Sequence, residues 1–260
     1  MRKQTKDTCI HLILSISLIF FSEILVAQAE HEIQVYASPT IQKKATIFEL
    51  HTNYTFKGSK ELPEPKAARF TNISLEVTHG FTNSFELGFY VFTSIDPTGH
   101  YGYYGSHIRP RVTVPGKWKW PFGASLSVEF GIFRPSVDED FFWEGEIRPI
   151  IDRSFGNLYL SLNPNVDFVL NGVYKHWGLS PQFKAVYTFR QKVGFGFEYY
   201  SSFGDFNAIK PLKEQEHLLG PAIDLYTDPK WEFNAGFLFG LTSPSNQQIL
   251  KLVIGRRIGA

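Results

Sequence analysis

The 260-residue chain has a single cysteine, Cys9. It lies in the N-terminal segment without the small-residue lipobox of a lipidated cysteine. No thiol follows it, so a disulfide framework and a thiolate metal site are both excluded from the rest of the chain. Charge of one sign is also missing, with 26 Lys and Arg against 25 Asp and Glu. Without a basic stripe, nucleic acid is not an expected partner. Beyond residue 29 no run approaches the roughly 18 consecutive apolar residues of a membrane helix. No long stretch has helical periodicity, and no Gly-x-Gly-x-x-Gly opens a helix, so no nucleotide site is suggested. His31, His51, His79, His100, His107, His176 and His217 are scattered, with no two histidines at i, i+2 or i, i+4. That spacing gives no metal motif, and neither a metal nor a cofactor is expected.

What is abundant is aromatic: 25 Phe, 12 Tyr and 5 Trp. Much of it falls into strict alternation. Phe183, Ala185, Tyr187 and Phe189 alternate with Lys184, Val186, Thr188 and Arg190, and beyond a polar turn Val193, Phe195 and Phe197 alternate with Gly194, Gly196 and Glu198. Successive strand side chains point to opposite faces, so this is a hairpin whose two faces meet different solvents. About twelve such runs follow one another, at roughly 45–56, 69–80, 84–95, 102–114, 122–134, 140–151, 156–168, 175–189, 192–203, 217–227, 231–241 and 248–258. Each is close to the ~9–11 residues of a tilted membrane strand. Short turns near 81–83, 154–155, 191 and 228–229 alternate with longer loops at 57–66, 96–100, 135–139, 170–175, 204–216 and 243–247. The connection at 116–121, which holds Trp118 and Trp120, is long for a turn and suits an aromatic girdle.

The N-terminus reads as a signal peptide over residues 1–29. Arg2, Lys3 and Lys6 precede a short apolar stretch, and Ala27-Gln28-Ala29 fits the cleavage site. Residues 30–260 then form one exported domain. Alternation alone does not say which face is inside, and a soluble barrel or sandwich would turn the apolar face inward. Three features favour the opposite arrangement. Twelve strands exceed the eight of small ligand-binding barrels, the polar face is rich in Gly, Ser and Glu rather than Lys and Arg, and many strands end in Tyr or Trp. The expected fold is therefore an all-β, antiparallel transmembrane β-barrel of about twelve strands in the outer membrane of a Gram-negative bacterium. Both termini are periplasmic and lipid is a partner. Prolines 110, 149, 164, 181 and 221 fall inside these strands. Proline cannot donate to a ladder, so they mark either β-bulges or strand ends.

With the apolar face outward, charges fall in the lumen. Glu86, Arg109, Arg111, Glu129, Glu144, Glu146, Arg148, Lys184 and Glu198 are the candidate constriction residues, accompanied by Glu49, His51, Glu76, Asn163, Asp167, Arg190, Glu232 and Asn234. Charges confined there must pair, because an isolated buried charge is very costly. Two readings stay open: a constriction that passes or binds a small solute, or an ion-paired network that closes the barrel. A lipid-modifying enzyme needs a nucleophile and base in reach. Ser106 and His107 point to opposite faces of a strand, and His176 and Ser180 lie about 13 Å apart along one. No catalytic residue is assigned.

The C-terminal runs Leu219-Gly220-Pro221, Trp231-Glu232-Phe233-Asn234-Ala235-Gly236 and Phe239-Gly240-Leu241-Thr242 resemble a bacterial family of outer-membrane barrels named for the meta-pathway of phenol degradation and labelled as transporters. The resemblance covers about the last forty residues. It implies a porin-like or transporter-like barrel, a small and hydrophobic or aromatic solute, and insertion by the barrel-insertion machinery. Where such barrels usually end in Phe or Trp, this chain ends Arg256-Arg257-Ile258-Gly259-Ala260, with Ile258 standing in.

Overall fold

The computed structural model describes residues 31–61, 68–171 and 175–259. The signal-peptide expectation for 1–29 lies outside them, as do parts of the loops expected at 57–66 and 170–175. The strands are β1 (Thr46–Lys57), β2 (Thr71–Thr82), β3 (Phe85–Ile95), β4 (Tyr101–Thr113), β5 (Gly123–Phe133), β6 (Phe142–Phe155) and β7 (Leu158–Val169). They continue as β8 (His176–Phe189), β9 (Val193–Ser202), β10 (Gly204–Asp205), β11 (Ala208–Ile209), β12 (Glu216–Leu225), β13 (Trp231–Gly240) and β14 (Gln248–Ile258). The two-residue pair β10–β11 sits in the loop after β9. The other twelve pair antiparallel with their neighbours, and β1 closes on β14, with Thr46 opposite both His79 and Ile258. The first and last strands therefore begin and end at one rim, which also carries the short turns. Closure removes every strand edge, the condition for a sheet to exist in hydrocarbon.

The alternation resolves as apolar-outward. Phe48, Leu75, Phe89, Leu126, Phe195 and Phe197 are all exposed on the outer surface. Their strand neighbours Glu49, Glu76, Ser127 and Glu198 are buried inside. An apolar exterior on this scale suits hydrocarbon rather than water. The β8–β9 turn is three residues, Arg190, Gln191 and Lys192, the first two in the left-handed region (φ 49° and 57°), and the Lys192 amide donates to the Phe189 carbonyl at 3.0 Å. Arg190 is exposed in that turn, which corrects its expected place in the lumen. The connection between β4 and β5 carries a 3-10 turn at Gly116–Trp118, and the rings of Trp118 and Trp120 lie exposed, 6.2 Å apart, at the short-turn rim.

The prolines follow neither expectation. Between β6 and β7 the register runs to Ile147↔Val166 and resumes unshifted at Ile151↔Leu162, with Pro149 and Pro164 opposite each other in between. Pro164 in turn faces Pro181 across β7–β8. These residues lie within continuous strands, without a bulge. Two facing prolines simply leave out the two ladder bonds they cannot make. Pro181 shows how a bond is replaced: its carbonyl accepts from the Ser201 hydroxyl of the next strand at 2.7 Å. Replacing Pro149 and Pro164 together by Val should restore two ladder bonds. The gain is about 1 kcal/mol each, less a smaller loss from a freer unfolded chain. A higher urea midpoint for the refolded double variant is the expected result. An unchanged or lower midpoint would show that the ladder gap costs nothing.

Candidate functional site

The barrel lumen is not an empty pipe. Residues 31–45, just ahead of β1, run inside it without forming a ladder with the wall. The segment starts in the half of the barrel nearer the long loops and returns to the short-turn rim to enter β1. At its far end the Ser74 hydroxyl donates to the His31 carbonyl (2.6 Å), and the His31 ring lies 5.2–5.9 Å from those of Phe92, Tyr104 and Phe133. Lys251 Nζ donates to the Ile33 carbonyl at 2.9 Å. On the opposite wall, Asn163 Oδ1 accepts from the Tyr36 amide (2.7 Å), and the Ser161 hydroxyl donates to the Tyr36 carbonyl (2.7 Å). Asp152 takes both the amide and the hydroxyl of Ser38, at 2.6 and 2.9 Å. Arg111 donates to the carbonyls of Ala37 (3.0 Å) and Pro39 (3.1 Å), and Glu86 accepts from the Ile41 amide (2.7 Å). A non-ladder backbone in a lumen needs such partners, because each unsatisfied polar group is costly.

Tyr36 lies at the centre of this arrangement. Three guanidinium groups stand over its ring: Arg148 at 4.4 Å, Arg109 at 5.0 Å and Arg111 at 5.5 Å from the centroid. Its hydroxyl donates to Glu32 and lies 2.6 Å from the Tyr90 hydroxyl. The arginines are held by wall carboxylates. Arg109 bonds Glu76 and Glu86 (3.1 Å to the latter), Arg111 bonds Glu86 at 2.7 Å, and Arg148 bonds Glu146 and reaches Glu32 at 3.5 Å. Gly88 leaves room for this cluster. A side chain there would come within 2.6 Å of Thr78 Oγ1 and 3.3 Å of Arg109 Nε.

All nine expected constriction residues face the lumen and are buried, but in separate groups. Glu86, Arg109 and Arg111 form one, and Glu146 with Arg148 a second. Glu129 and Glu144 flank His107, with oxygens 2.8 Å from Nδ1 and 3.8 Å from Nε2. Glu144 therefore does not pair with Arg148, its neighbour on the same face of β6. Lys184 bridges Glu198 (3.1 Å) and Asp224 (2.9 Å), and Lys251 bonds the other oxygen of Glu198. Sequence reading missed Glu32, Tyr36, Asp152, Asp224 and Lys251. The first two precede the strands and carry no pattern.

Between the segment and the wall lies a cavity of about 930 Å³. Turn residues Gly156, Asn157, Gln191 and Asp228 line it, so it opens at the short-turn rim. Deeper in, its wall combines Tyr36, Tyr159 and Tyr226 with Lys184, Asp224 and Asn234. One side also carries Glu49, whose carboxylate forms a compact group with His51 and Glu76. The nearest ligand atoms of these three all lie within 4.8 Å of one another. The Ser106–His107 pair fares differently. Ser106 accepts from the Tyr103 hydroxyl (2.8 Å), while His107 faces inward to Glu129. Ser106 and His107 therefore do not pair.

No family model matches the chain, and no curated protein matches it in sequence. Solved structures match its fold. The crystal structure of an outer-membrane channel from Pseudomonas putida F1 superposes with a TM-score of 0.62 at 10% identity, covering 87% of this chain and 100% of that one. The KdgM porin gives 0.53 at 12% identity, over 82% and 99%. The same porin in complex with disordered oligogalacturonate gives 0.54 at 11%, over the same shares. The likeness is one of fold: this chain is a closed twelve-stranded antiparallel barrel of the architecture found in outer-membrane channels and porins.

Proposed function

We propose that this protein is an outer-membrane barrel for the passive passage of a small solute, and that its own residues 31–45 hold the path closed. The observation that carries the reading is the segment itself, bonded to walls on both sides of the lumen above a cavity open at one rim. Removal of a signal peptide at residue 29 would make this segment the free N-terminal end of the exported chain. The short-turn rim, where β1 begins and β14 ends, faces the periplasm. The channel and porin folds support passage rather than catalysis. Three tyrosines beside Lys184, Asp224 and Asn234 suit an aromatic solute that also carries polar groups. The resemblance of residues 219–242 to the phenol meta-pathway family points the same way. Insertion would use the barrel-insertion machinery, with Ile258 in the place of the terminal aromatic.

Deleting residues 31–41 from the exported chain tests the closure. Refolded into planar bilayers, the intact protein should be closed or open rarely, and the deletion should conduct several-fold more. A deletion that stays closed across voltages and salts would sink the reading.

A second reading rests on the pairing: the network itself closes the barrel, and the loops do the contacting. Arg148→Ala separates the two, because it strips Glu146 and Glu32 of their cation. Breaking a buried pair costs about 3 kcal/mol, so the thermal midpoint should fall in either case. If the segment is a gate, openings also become more frequent. Lower stability with unchanged conductance would favour the closed barrel.

A further inference from the structure

We propose that Glu49, His51 and Glu76 form a divalent-metal site in the lumen wall, reached from the short-turn cavity through Glu49. The sheet builds the group. Glu49 and His51 are two apart on β1 and so share its inner face. Glu76 is the direct register partner of Glu49 on β2. One ligand atom from each lies within 4.8 Å of the others. Donors about 2.0–2.2 Å from one ion stand at most about 4.4 Å apart, so the three side chains would close by a few tenths of an ångström on binding it.

The second observation is His51. It is 1% exposed, and its Nδ1 makes no hydrogen bond. Nε2 is paired with Glu76 Oε2, 3.3 Å away. Buried polar atoms are rarely left so, and each such case calls for a ligand or another cause. The other oxygen of Glu76 is already committed. Arg109 and the Thr78 hydroxyl both donate to it, which fixes the carboxylate with its second oxygen toward His51. Ligands are commonly oriented by outer partners of this kind. The two positive charges of Arg109 and Arg111 are balanced by the carboxylates of Glu76 and Glu86 that pair with them.

The surrounding charge favours a cation. Among the described residues, ten buried carboxylates face only five buried Arg and Lys side chains. One imidazole and two carboxylates suit a borderline first-row ion such as Zn²⁺, Co²⁺ or Mn²⁺, with solvent from the cavity completing the shell. The competing account is a protonated His51 that pairs with Glu76 and needs no metal.

Titrating the refolded, detergent-solubilised protein with Zn²⁺ by calorimetry, and with Co²⁺ by visible absorption, decides between them. His79→Gln serves as the control, since His79 bonds Thr46 at the rim, away from the group. We expect one saturable equivalent and a Co²⁺ ligand-field band in the intact protein and in His79→Gln. In Glu49→Gln and His51→Asn the affinity should fall at least tenfold, with heat-modifiable gel mobility confirming that both variants fold. No saturable binding, or binding unchanged in His51→Asn, overturns the site. The outcome is independent of whether the barrel conducts.

Discussion

Everything inside this barrel depends on one constraint: a charge buried in a narrow lumen has to find a partner there. Desolvation of an unpaired ion costs several kcal/mol even after relaxation. The wall meets this demand only in part. Glu86 holds Arg109 and Arg111, and Lys184 holds Glu198 and Asp224, but Arg148 also reaches into the segment for Glu32, and Asp152 accepts from Ser38 as well as from Tyr159 on the wall. The segment in turn has no ladder of its own and takes its hydrogen bonds from the wall. Wall and segment thus satisfy each other, and neither is complete alone. Tyr36 shows this most compactly, with one ring beneath three guanidinium groups drawn from β4 and β6.

The strands were legible in the sequence because a two-residue period between lipid and lumen leaves little freedom. Phe195 and Phe197 against Gly194 and Glu198 fix both the strand and its faces, since a one-residue slip would put Glu198 into hydrocarbon. The nine candidate charges were legible for the same reason, as inner-face positions. Their partnerships were not. Glu144 and Arg148 share a face, yet Glu144 turns to His107 while Glu146 takes the arginine. That choice is made across strands, by register and tilt, and neither is written in a single strand. The segment was illegible for a different reason. His31 to Ala45 has no period because it has no regular structure, and its partners lie up to 218 residues away in the chain.

The prolines separate what a ladder needs from what a barrel needs. A bulge would have shifted the register and turned lumen side chains toward lipid. Instead the register is held across Pro149 and Pro164, and the missing bonds are accepted. Facing prolines confine the loss to one pair instead of spreading it over two. With the strands bonded on both sides elsewhere, the closed sheet tolerates a local gap that an open edge would not.

The kind of contact between segment and wall bears on whether it is permanent. A lumen meant to be solid could be filled by large apolar side chains from the wall, as in small closed barrels. Here the inner face offers Gly88, Ser74, Ser161 and other small or polar residues, leaving room for a strip of chain and hydrogen-bonding it once there. Such bonds exchange for bonds to water at a net cost of about 1 kcal/mol each, whereas Ile33 and Val35, packed against Tyr200, Leu238 and Ile249, add apolar burial that water does not replace. The segment is tethered at one described end through Ala45 into β1, and leaving the lumen would exchange its hydrogen bonds for water while exposing the Ile33 and Val35 anchor.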